Sequence, residues 1–102
     1  MSISDIQLKN GYYQVFDEQG KKIKEAHSTS VGDLCGLGND FIVFSKNDYF
    51  ATYDEKFNKI KETHKSTVGE FKSAGASTLI FMKNSYIGTY DKYFKKISER
   101  HS

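Results

Sequence analysis

The sequence has no proline, no tryptophan and only one cysteine. Without proline, no strand loses a ladder hydrogen bond to a missing N–H. With Cys35 alone, no disulfide can form within the chain, and a lone thiol fits a reducing, cytoplasmic setting. A dominant charge is also missing. Fifteen basic and 13 acidic residues are interleaved to a net +2, which is too weak a bias to attract nucleic acid. Long apolar runs are absent: the longest, Phe41-Ile42-Val43-Phe44, falls far short of the ~18 residues that span a bilayer. The opening Met1-Ser2-Ile3-Ser4-Asp5 has neither the basic start nor the apolar stretch of a secretory leader. No membrane association is expected.

Aromatics, by contrast, are plentiful. Seven Tyr and eight Phe make up 15 % of the chain, a composition that favours pleated surfaces. Hydrophobic residues account for 37 % and charged residues for 27 %, as in an ordinary folded protein. The 102 residues suit one domain, 1–102, with a modest core.

The main feature is an internal repeat. Asn10, Asn47 and Asn84 stand 37 residues apart, and so do Tyr12, Tyr49 and Tyr86. The same offset, without a gap, links Lys9, Lys46 and Lys83, and Asp17, Asp54 and Asp91. It also links the Lys-Ile pairs at 22, 59 and 96, then Glu25, Glu62 and Glu99, and all three histidines, His27, His64 and His101. The copies run over about 3–36, 37–73 and 74–102, as phases of one repeat that no single copy could stabilise.

Each copy reads as strands. The first is Asp5–Leu8, Phe41–Phe44 or Leu79–Met82, apolar throughout in copies two and three, as in a strand covered on both faces. A Lys-Asn turn leads to a second, alternating strand, Tyr49–Tyr53 in copy two, which Asp54 closes. A loop of about four residues follows. Gly20 is suited to positive φ there, and Asn58 is the candidate for that role in copy two. The third strand is Lys59–His64. The segments Val31–Gly38 and Val68–Gly75 read either as an inner strand or as connecting loop.

A buried run, a turn, a strand ending in Tyr53-Asp54, Tyr90-Asp91 or Phe16-Asp17, and a hairpin into Lys-Ile together resemble a β-propeller blade. The Gly-His dipeptide and the Trp of WD repeats are lacking. The resemblance implies an all-β fold of three antiparallel, blade-like meanders. Propellers have roughly four to eight blades, so three imply a half-propeller that a homodimer, or another homo-oligomer, would complete. Copy one has no counterpart of Val68–Gly75 before it, however, and copy three ends on its third strand, so no strand is spare to interlock the ring. The alternative fold is a β-trefoil-like monomer, which also uses three repeats.

Two residue sets are candidates for chemistry. Threefold placement about an axis would bring His27, His64 and His101 together as a His₃ metal site, with Glu25, Glu62 and Glu99 orienting the rings. The opposing reading has each histidine decorating an outer strand. A ligand site in every copy would use Asn10, Tyr12 and Asp17, then Asn47, Tyr49 and Asp54, then Asn84, Tyr86 and Asp91, because aromatic platforms with amide and carboxylate partners suit sugars. Against it, Asn and Asp at strand ends commonly fix turns through their own side chains. No nucleophile elbow, phosphate loop or metalloprotease motif is present, and no cofactor is expected. The expected role is a non-catalytic binding or assembly module presenting a repeated β surface to a protein partner or to itself. The alternative is multivalent binding of a small sugar-like ligand or a metal.

Overall fold

A computed structural model describes residues 3–101; Met1 and Ser2 of the opening segment and Ser102 of copy three lie outside the described residues. The chain is all-β. The first sheet contains β1 (Asp5–Lys9), β2 (Tyr12–Phe16) and β3 (Lys22–His27) in that order. A single helical turn, α1 (Ser28–Val31), leads to the second sheet of β4 (Asp33–Leu37), β5 (Ile42–Lys46), β6 (Tyr49–Tyr53) and β7 (Lys59–His64). A second turn, α2 (Lys65–Val68), leads to the third sheet of β8 (Glu70–Ala74), β9 (Leu79–Lys83), β10 (Tyr86–Tyr90) and β11 (Lys96–His101). All neighbouring strands are antiparallel and follow chain order, so each sheet is a meander. Among the described residues no strand closes the sheets into a barrel, and the trefoil-like alternative is set aside.

The segments left open between strand and loop are resolved as β4 and β8, each pairing with the apolar strand that follows it. The second and third sheets therefore have four strands each, the first of them supplied by the end of the preceding copy, and the first sheet has three. The helical turns were not expected. Each ends at a glycine, Gly32 (φ 96°) or Gly69 (φ 92°), whose N–H donates to the carbonyl of Ser28 or Lys65 at 2.8 Å.

The sheets pack face to face, with the second in the middle. Ile42, Phe44 and Tyr53 on one of its faces meet Tyr13 and Val15 of the first sheet, with Ile6 and Ile23 at the margin. On the other face Val43 and Phe50 meet Leu79, Phe81 and Tyr90 of the third, with Ile60 and Phe94 at the margin. Alternation along β5 explains this, since Ile42 and Phe44 point one way and Val43 the other. All three are fully buried. Tyr13 accepts from the Leu34 N–H at 3.2 Å, and the buried Thr52 hydroxyl donates to the Lys92 carbonyl at 2.6 Å, so each core also has a polar link between sheets. The strands β4 and β8 come into contact, and a Cβ at Gly36 would lie 2.9 Å from the Phe71 ring. Cys35 is a free, half-buried thiol beside the second core, and its burial pushes its pKa up.

The loop between the second and third strands of each copy corrects one expectation. Gly20 has φ 78°, as anticipated, but in copies two and three the left-handed residues are Phe57 (61°) and Phe94 (59°). Asn58 is not the left-handed residue; its amide donates to Asp54 instead. A left-handed phenylalanine costs roughly 1–2 kcal/mol. Packing against Phe44 and Phe81, with ring centroids 6.2 Å apart in both cases, offsets that cost.

Candidate functional site

The candidate residues fall into three separate groups. Asn10, Asn47 and Asn84 form the first hairpin turn, with φ of 52°, 56° and 53°. Asn10-Gly11 and Asn84-Ser85 both have two successive positive φ values, as a type I′ hairpin turn requires. Asn tolerates this conformation because its short polar side chain can bond locally.

Asp17, Asp54 and Asp91 fix the second loop. One carboxylate oxygen accepts from the N–H groups two and four residues on, at 2.9 and 3.0 Å for Asp17, 2.9 and 2.9 Å for Asp54, and 2.9 and 3.0 Å for Asp91. Burial pulls Asp54 upward, but the Asn58 and Lys56 backbone N–H groups outweigh it, aided by the Asn58 amide and the Lys56 charge, and hold its pKa below the usual value. A depressed carboxylate stabilises the fold above its unfolded pKa, and that stability is lost as pH falls through the folded value. Asp54→Ala is thus expected to cost about 1–2 kcal/mol at neutral pH. The gap between wild type and variant should close below the ordinary aspartate value of 3.8, as read by denaturant melts across acid pH.

The histidines are not brought together. They end β3, β7 and β11, edge strands of three different sheets, while the second and third sheets touch through the opposite edge strands β4 and β8. Among the described residues no group of three or more His, Cys, Asp or Glu could hold a metal ion, so the His₃ site is not formed. His27 Nδ1 accepts from the Thr29 N–H at 3.2 Å and His64 Nδ1 from the Ser66 N–H at 3.1 Å, so both rings cap the helical turns. The glutamates do not orient the rings either. Glu25 pairs with Lys22 at 2.8 Å, Glu62 with Lys59, and Glu99 with Lys96 at 2.6 Å. In each pair the lysine precedes the glutamate by three residues on the same outer strand.

Tyr12, Tyr49 and Tyr86 are partly exposed and meet His27, His64 and His101 edge to face, with centroids 4.9–5.1 Å apart. Strand register puts each pair directly opposite. Tyr49 and Tyr86 also line a concave feature that recurs in copies two and three. A cleft of about 210 Å³ in copy two is lined by Ser30, Val31, Lys46, Asn47, Tyr49, Ala51, Tyr53, Lys59 and Glu62. A cleft of about 290 Å³ in copy three is lined by the nine residues 37 positions later, from Thr67 to Glu99, and by Phe81. Gly88 replaces Ala51 in the larger cleft.

The wall of each cleft belongs to the preceding copy. Lys46 Nζ donates to the Ser30 carbonyl at 3.3 Å and Lys83 Nζ to the Thr67 carbonyl at 3.4 Å, tying the helical turn to the sheet that it borders. Hydrogen bonding to Glu62, against a smaller opposing effect of burial, raises the Lys59 pKa, and Glu99 raises that of Lys96 in the same way. Both lysines are therefore held charged, beside a carboxylate, above a tyrosine floor.

Of the sequence-derived site residues, the clefts gather Asn47 and Tyr49, or Asn84 and Tyr86, but leave Asp54 and Asp91 at the other end of the strand. Asn10, Tyr12 and Asp17 lie on the first sheet, outside both clefts. Lys46, Tyr53 and Lys59 were absent from the candidate set, and Glu62 stood in it only as a partner for a histidine ring. The signal for them was present, because every one of these types except Tyr53 keeps the 37-residue register in all three copies. No helix among the described residues is long and apolar enough to cross a membrane. The chain matches no family model and no curated protein.

Proposed function

We propose that the chain is a non-catalytic binding module that takes a small polyhydroxylated, sugar-like ligand in each of two equivalent clefts. The observation that carries this reading is the recurrence of all nine lining positions at one offset. Tyrosine faces offer apolar area to a sugar ring, while Lys Nζ, Asn and Glu groups supply donors and acceptors for its rim. Volumes of about 210 and 290 Å³ fall just below those of typical small-molecule pockets, which suits one ring rather than a large ligand. A catalytic centre needs different groups in different roles, whereas here the same groups occur twice. Two equal sites on one chain would give avidity for a ligand displayed in repeats.

Adjacent inner strands and one sheet per repeat also support reading the sheets as propeller-like blades. Calorimetric titration with mono- and oligosaccharides tests the function. The expected stoichiometry is two, falling to one in Tyr49→Ala or Tyr86→Ala and to zero in the double variant. No heat with any sugar, from a folded protein, would overturn the reading.

A further inference from the structure

The two outward faces of the stack differ in character. Each sheet turns one face toward the sheet that follows it. On the first sheet this face carries Ile6, Tyr13, Val15 and Ile23, and on the second Val43, Phe50, Thr52 and Ile60. The third sheet has Ile80, Ile87, Thr89 and Ile97 at the same phase, with Met82 beside them. Among the described residues no further sheet covers this face, and Ile97 is 59 % exposed.

The opposite end of the stack is polar. Where the second sheet presents Ile42, Phe44 and Ala51 to its predecessor, the first sheet carries Asp5, Gln7 and Gln14. Gln7 donates to the Asp5 carboxylate at 2.9 Å. Head-to-tail stacking of two chains would press Ile80 and Ile87 onto these groups. Burying a carboxylate without a cationic partner is strongly unfavourable. A ring closed from two half-rings in that way is therefore a poor match.

The third sheet is instead complementary to itself. Direct cross-strand partners form a row from one edge to the other, Glu70–Met82–Ile87–Arg100. A parallel row runs Ser73–Ile80–Thr89–Ser98. Each row is apolar or neutral in the middle, and the first ends in opposite charges. A two-fold axis lying between two stacked sheets, parallel to their strands, reverses the rows. It lays apolar centre on apolar centre, Glu70 on Arg100 of the partner subunit, and Arg100 on the partner subunit's Glu70. An isologous contact needs this self-complementarity, and an apolar centre with a polar rim is the usual anatomy of an interface. Glu70 is free to reorient, since its side chain is 70 % exposed and pairs only with the neighbouring Lys72 at 3.3 Å.

We propose that two copies of the chain associate through the outward faces of their third sheets, about such a two-fold axis. Four strands about 4.8 Å apart and five residues long give a face of roughly 300 Å². Counted over both partners this is about 600 Å², below the roughly 1,200 Å² at which standard specific interfaces begin, so the dimer is weak and transient.

Sedimentation velocity on the chain, from micromolar to millimolar, tests this. The expected result is a monomer–dimer equilibrium that Arg100→Glu and Glu70→Arg each weaken by about tenfold and that the double exchange restores. Ile87→Asp should abolish the dimer while circular dichroism reports an unchanged fold. Three outcomes would overturn the proposal: a monomer at every concentration, a double exchange no better than either single change, or a dimer lost through Gln7→Leu but not Ile87→Asp.

Discussion

Truncating Phe81 to alanine is expected to lower stability by about 3–5 kcal/mol. Phe81 is 1 % exposed and lies at the centre of the second core, with its ring 5.2 Å from Phe50, 5.5 Å from Phe71, 5.5 Å from Tyr90 and 6.2 Å from Phe94. Removing the ring takes one member from four aromatic contacts at once. The β-strands around it are held in hydrogen-bonded register and cannot collapse into the gap, so the cavity persists. Against a total of roughly 5–15 kcal/mol for a chain of this size, the loss brings the protein close to unfolding at room temperature. Guanidinium melts of the variant check it. The repeat supplies its own control, because Gln7 occupies the same phase of copy one and is exposed. Gln7→Ala should change stability by less than about 0.5 kcal/mol.

Gly69→Ala is expected to cost about 3 kcal/mol or more. Gly69 has φ 92° and ψ −145°, a combination that is essentially glycine's alone. A Cβ there would also lie 2.4 Å from the Met82 carbonyl oxygen and 2.7 Å from the Lys83 Cβ. Neither neighbour is the free end of a side chain, so the start of β8 would have to separate from β9. Gly32→Ala is expected to act alike, with Ser45 and Lys46 as the obstacles at 2.4 and 2.8 Å. For a domain near this size each kcal/mol lowers Tm by roughly 4–8 °C, which makes the loss easy to read by thermal scanning. Gly20→Ala provides the contrast. It too has positive φ (78°), but nothing lies within 4 Å of the added Cβ, so only the backbone cost of about 1–2 kcal/mol applies.

Much of the fold was legible because each strand writes its own pattern. Tyr49–Tyr53 and Lys59–His64 were read to the residue from alternation and from Asp54 between them. The inner strands β4 and β8 were ambiguous for a physical reason. Asp33–Leu37 and Glu70–Ala74 mix charged, small and half-buried residues, since only part of each strand is covered. The helical turns escaped notice because four residues cannot display a 3.6-residue period. Their only mark was His27 or His64 two residues before a Thr or Ser, which looked like a ligand and is a cap. The left-handed role went to Phe57 and Phe94, not Asn58, because their rings gain a core in exchange for the backbone strain, and local propensity cannot register a gain made at long range.

The sequence alone determined the unit: a gapless 37-residue period, strands at fixed phases, Asn and Asp turns, and an aromatic interior. These follow from local rules that each copy obeys by itself. Only the tertiary structure decided how the units combine. The second sheet lies between the other two, and the clefts draw one wall from the preceding copy. The histidines stay apart, one at the outer edge of each sheet. One end of the stack is polar and the other apolar. The reason is that equal phases of a repeat meet unequal neighbours: Gln7, Phe44 and Phe81 share a position, but among the described residues only the latter two have a sheet above them.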